Sequence, residues 1–143
     1  MRKLALKRPY KKSKGIAAAY VHVKFTLEIS VSLQPIEIEA LVDTGFSEFL
    51  KLPASYANLF ESMGHKGFTR HIRTADGTLT KAKVYLGYLL SVSDTGYIID
   101  FNPPMEITIH CAGDSPSLLG MKVLQKWITE FDGPSNILRI YNV

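Results

Sequence analysis

Asp43, Thr44 and Gly45 end the apolar run Ala40-Leu41-Val42, and a second run, Phe49-Leu50-Lys51-Leu52, begins just beyond. Asp is disfavoured in strands and rarely buried alone, so a carboxylate at the inner end of such a run has either a counter-group or a chemical task. The task a carboxylate suits is proton transfer, as a base that activates water or as an acid that protonates a carbonyl or a leaving group. Gly45 supplies the sharp turn or close backbone approach that such a site requires. The same triplet recurs at Asp94-Thr95-Gly96, but Ser91 and Ser93 precede it and Tyr97-Ile98-Ile99 opens a fresh strand. That is the pattern of a tight turn, so Asp43 is the candidate catalytic residue and Asp94 its decoy.

Other chemistries find little support. His22, His65, His71 and His110 show no metal-ligand spacing, and His110-Cys111, adjacent on a strand, would point to opposite faces. Glycines are not arranged to cradle phosphate, so neither a metal nor a cofactor is expected.

Strands and short helices must position Asp43. From Tyr20 to Ser32, Val21, Val23, Phe25, Leu27, Ile29 and Val31 alternate with polar residues, a long half-buried strand. Leu33-Gln34-Pro35 turns the chain, and Ile36 to Val42 returns as the second arm of a hairpin that ends at Asp43. A short helix is predicted from Pro53 to Met63, stopped by Gly64. His65 to Thr74 is a mixed stretch compatible with a strand; Ala75-Asp76-Gly77-Thr78 has hairpin-turn chemistry, and Lys81 to Ser93 runs as a strand. Pro103-Pro104 is read as a break before a strand from Met105 to Cys111. The short apolar Ser117-Leu118-Leu119 stops at Gly120. Met121, Val123, Leu124, Trp127, Ile128 and Phe131 then fall on one side of a predicted helix ending near Asp132-Gly133-Pro134, and Ile137 to Tyr141 makes a last strand. Close-spaced strands with two short helices predict a mainly β, barrel-like domain.

At 143 residues and 46% hydrophobic, the chain suffices for one core rather than two. One cysteine excludes an intrachain disulfide and no run is long enough for a membrane span, a composition suited to a reducing cytoplasm. Ile16 to Val21 follows basic residues as a secretion signal would, but His22 and Lys24 interrupt it. Seven of the 17 basic residues lie in the first 14 positions, so the net charge of +4 describes a terminus rather than a domain. Residues 1–19 are therefore read as a basic, solvated and mobile tail, with nucleic-acid contact as its alternative use, and residues 20–143 as the domain.

Leu41-Val42-Asp43-Thr44-Gly45, followed about seventy residues later by Leu118-Leu119-Gly120, resembles the retropepsin-like aspartic proteases, with small prokaryotic members the most similar. The resemblance spans Tyr20 to Tyr141 and includes the apolar run, proline and short helix after the acid loop. It implies a closed acid-protease barrel, a symmetric homodimer with one Asp43 from each chain, and hydrolysis of peptide bonds in an extended polypeptide. It also implies that Thr44 bonds across the dimer axis, that Gly45 lets backbone approach the carboxylates, and that Leu118, Leu119 and Gly120 hold the acid loop. Ala75, Asp76, Gly77 and Thr78 become either the tip of a mobile flap or an ordinary exposed turn. Phe46 departs from the small residue common after that glycine; it lines a substrate pocket or fills core. This departure motivates an alternative function, a retropepsin-like dimer that binds peptides or proteins without cleaving them.

Overall fold

The structure, a computed structural model, describes residues 2–28, 35–73, 76–94 and 97–142. Tyr20–Leu27 (β4) buries Val21, Val23, Phe25 and Leu27 and turns Tyr20, His22, Lys24 and Thr26 outward, as the alternation requires. It pairs antiparallel with Ile36–Val42 (β5), where Ile38, Ala40 and Val42 face the core. The predicted extension over Ile29 to Ser32, the turn at Leu33-Gln34, and Thr74, Ala75, Thr95 and Gly96 lie outside the described residues.

Beyond β5 come Leu50–Leu52 (β6), a helix at Ser55–Ser62 (α1), Phe68–Arg73 (β7), Leu79–Ser93 (β8), Ile98–Cys111 (β9) and the two-residue strand Leu118–Leu119 (β10). In the large sheet the order is β4-β5-β10-β6-β9-β8-β7, and β4 also pairs with β8. That extra pairing closes six strands into a barrel and leaves β7 outside as an edge. Closure brings β4 very near β8 at Gly87, where a Cβ would lie 2.3 Å from the Thr26 carbonyl oxygen; only glycine fits there without a shift. The fold is mainly β, with two short helices, as the sequence predicts.

Three expectations are corrected. The basic N-terminus is not a free tail: Lys3–Pro9 (β1) pairs antiparallel with the last strand, Ile137–Asn142 (β12), and Leu6 is fully buried opposite Ile140. Burying that leucine contributes about 2 kcal/mol, which a solvated tail would forgo. Arg8 and Lys11 meet Glu39 on β5, so part of the charge run has a counter-ion inside the fold. Lys11–Ser13 (β2) and Ile16–Ala18 (β3) form a small hairpin whose turn residues, Lys14 and Gly15, both have positive φ.

The long helix predicted after Gly120 is only Met121–Leu124 (α2); Ile128–Asp132 (β11) is a strand paired with β12. Its β-branched and aromatic residues satisfy a strand as readily as a helical stripe, and the waiting β12 edge decides between them. Finally, Pro103-Pro104 does not end a strand. Leu89 pairs with Met105 and Ser91 with Asp100, so residues 101–104 bulge opposite Leu90, a place where missing proline N–H groups cost no ladder bond. The small sheet β1-β12-β11 shares its core with the barrel through Leu6, Leu138 and Ile140. No helix of the described residues is long and apolar enough to cross a membrane.

Candidate active site

Asp43 stands where β5 stops. The loop it begins is clamped by β10, which pairs parallel with Leu41 and Val42 of β5 and antiparallel with Leu50 and Lys51 of β6. A two-residue strand can be held there because both of its edges are used, and its flanks continue the ladder. The Leu41 N–H donates to the Ser117 carbonyl at 2.7 Å and the Asp43 N–H to that of Leu119 at 3.0 Å. Gly120 then donates to Phe49 at 2.9 Å and Met121 to Phe46 at 2.8 Å, so the acid loop is stitched to the later segment on both sides. Leu118, Leu119 and Gly120 thus lie against the loop begun by Asp43.

Within the loop the Gly45 N–H donates to Asp43 Oδ1 at 2.8 Å, and Phe46 N–H to the Asp43 carbonyl at 3.3 Å. This aspartate-to-i+2 bond fixes one carboxylate oxygen over the turn. Asp43 is half-buried, whereas Thr44 and Gly45 are exposed. Such an arrangement presents a partly exposed carboxylate with one oxygen held by backbone. Gly120 is required by contact rather than by dihedral angle: a Cβ there would lie 2.2 Å from the Glu48 carbonyl oxygen and 2.6 Å from the Phe46 ring.

Phe46, for which pocket and core readings were both open, is half-buried against Gly120 and makes an edge-on contact with His110, ring centroids 5.9 Å apart. His110 itself is fully buried on β9. Its Nε2 lies 3.5 Å from Thr108 Oγ1, and its Nδ1 has no partner among the described residues. Burial lowers its affinity for a proton; Glu48 opposes that shift, and Arg70 and Lys122 add to it. Sequence reasoning set His110 aside as a ligand but gave no sign of this contact, because nothing local to either residue encodes it. Cys111, on the opposite face, sits in the core with its thiol pushed up to about 12 by burial. The loop is further tied to α2 by an ion pair between Glu48 and Lys122 at 2.8 Å.

Asp94 does not join this loop. It directly follows β8, its N–H donates to the Tyr97 carbonyl at 2.8 Å, and β4 lies between β8 and β5. The β7–β8 connection is a hairpin turn: Thr78 N–H donates to Asp76 Oδ1 at 3.0 Å, Arg73 bonds the Gly77 carbonyl at 2.9 Å, and Gly77 has φ +85°. No three His, Cys, Asp or Glu side chains among the described residues converge as a metal site.

No protein-family model matches the chain, and no curated protein matches its sequence. Among solved structures the chain is similar to a retropepsin-like aspartic protease from Rickettsia conorii, with TM-score 0.53 and 17% identity, over 99% of this chain and 94% of that one. Over nearly its whole length, then, the chain has the fold of a retropepsin-like aspartic protease.

Proposed function

We propose that the chain is an aspartic endopeptidase that works as a symmetric homodimer, each chain contributing Asp43. The observation that carries this reading is the acid loop: a carboxylate at a strand end, one oxygen held by the Gly45 amide, clamped from behind by β10. Peptide hydrolysis needs a base and an acid together, and one carboxyl cannot be both at once. Two carboxyls brought close cannot both ionise, so the pair shares a proton and supplies both roles. The ionised carboxyl takes a proton from water as the water oxygen attacks the peptide carbon, while the protonated one donates to the carbonyl oxygen. A proton then passes to the departing amine. The two titrate as one unit, so any measured pKa belongs to the dyad.

In this reading Thr44, at the exposed turn, bonds across the dimer axis, and Leu118, Leu119 and Gly120 keep the loop in place. The hairpin tip at Asp76-Gly77-Thr78 closes over an extended substrate and excludes water. The test is cleavage of an unfolded protein from acid to neutral pH. Asp43→Asn should abolish it and Asp94→Asn should leave it within about twofold, as a surface-turn substitution does. An Asp43→Asn chain that still cleaves sinks the assignment; a wild-type chain that binds peptides at every pH without cleaving them favours the non-cleaving alternative.

A further inference from the structure

The hairpin β7–β8 is charged unlike the rest of the fold. Residues 66–83 hold five Lys and Arg against one acid, whereas outside this stretch and the first 14 residues the chain has five basic residues against twelve acids. The N-terminal cations are partly matched by Glu39. Those of the hairpin outnumber their local acid: Lys66, Arg70, Arg73, Lys81 and Lys83 stand against Asp76.

The pairing register places these charges. Thr69, His71 and Arg73 lie opposite Lys83, Lys81 and Leu79, so one face of the ribbon gathers Arg73, Lys81, Lys83 and His71. On the other face Phe68, Arg70 and Ile72 lie opposite Val84, Ala82 and Thr80, with the Arg70 guanidinium 5.3 Å over the exposed Phe68 ring. Among the described residues β7 pairs only with β8 and ends the sheet, so its second edge meets no other described strand and is flanked by cations on both faces. The Arg70 face continues through Val84 to its partner His110, whose ring meets Phe46 of the acid loop.

We propose that the open edge of β7 is a docking strand for acidic, extended polypeptide segments, and that the substrates of Asp43 are drawn from them; the second half rests on the peptidase reading. An added strand would satisfy the edge's N–H and C=O groups, while its side chains, alternating between faces, meet Arg70 on one and Arg73 and His71 on the other. Edge cations also guard against sheet-to-sheet aggregation, but a guard repels like edges without selecting any partner. Nucleic acid would use the charge and leave the backbone edge unused.

The test uses the full chain carrying Asp43→Asn, so that binding is read without cleavage. Fluorescent twelve-residue peptides of one apolar pattern, with Glu, Gln or Lys at the variable positions, are titrated by anisotropy at low and high salt. The Glu peptide should bind roughly tenfold more tightly than the Gln peptide at low salt, and lose that margin at high salt. Adding Arg70→Glu and Arg73→Glu should remove the margin, whereas Lys126→Glu, in the exposed turn after α2, should not. Equal binding of the three peptides, a margin that survives the double reversal, no binding of any peptide, or stronger binding of an oligonucleotide of equal charge would each overturn the proposal. Wild-type cleavage of unfolded protein without charge preference would do so too while leaving the peptidase reading intact. Acidic-peptide binding by a chain that cleaves nothing would do the reverse.

Discussion

Gly120→Ala tests whether the acid loop depends on its contact with the later segment. The added methyl would lie 2.2 Å from the Glu48 carbonyl oxygen, 2.6 Å from the Phe46 ring and 2.7 Å from the Phe46 carbonyl oxygen. Two of these three are backbone atoms already in use, since Phe46 O accepts from Met121 N–H and Glu48 O from Lys122 N–H. Relief therefore moves the loop and weakens at least one of those bonds. Overpacking of this kind costs about 1–3 kcal/mol and one hydrogen bond about 1 more, giving about 2–4 kcal/mol. For a domain of this size that is a fall in Tm of about 7–13 °C. Urea unfolding followed by Trp127 fluorescence reads it, with Gly133→Ala, where a Cβ meets nothing within 4 Å, as the control within about 0.5 kcal/mol of wild type. Because the backbone oxygens remain, Phe46→Ala should not rescue Gly120→Ala. A Gly120→Ala chain as stable as the control, or one rescued by removing the ring, would refute the clamp.

The remaining predictions concern His110 and the N-terminal strand. Burial lowers the proton affinity of His110 in the folded chain, so between its folded value and the ordinary value of about 6.5 the unfolded chain binds more protons. Stability from this group is full above about pH 6.5 and is lost as pH falls toward the folded value; His110→Phe should flatten that part of the urea-midpoint profile, and identical profiles would exclude the effect. Arg8→Ala, which strips a side chain only 12% exposed from Glu39, should cost about 2 kcal/mol. By contrast Lys11→Ala, at 55% exposure, should cost under about 1 kcal/mol by urea unfolding. Equal costs would mean that β1 is not held through Arg8.

What the chain declares about itself is local. The alternation of Val21, Val23, Phe25 and Leu27 fixes a strand face by itself, and the apolar stop at Asp43 marks a loop whose glycine bonds its own carboxylate. The companion Leu118-Leu119-Gly120 is legible as a motif, and its two-sided pairing follows once both edges exist. Where local preference is balanced, partners decide. Ile128 to Asp132 has residues at helical spacing and residues fit for a strand, and only the presence of β12 resolves them. Leu4-Ala5-Leu6 is a three-residue apolar run among cations, too little signal to betray a buried strand, yet Ile140 and Glu39 give that segment its place. The Phe46–His110 contact joins the acid loop to β9 and had no sequence signal at all.

The pairing of β1 with β12 has a consequence for how the molecule comes into being. β1 waits for a partner far along the chain; at synthesis rates of about 5–20 residues per second the interval between the two strands is on the order of ten seconds. During that time Leu6 lacks Ile140 opposite it, and for most of it the loop that carries Asp43 lacks the Leu118-Leu119 strand behind it. Contacts of such long range also slow folding after release. A nascent chain would accordingly hold Asp43 unset until the segment carrying Leu118 and Leu119 has been made, so the acid loop takes its final shape only after most of the barrel strands exist.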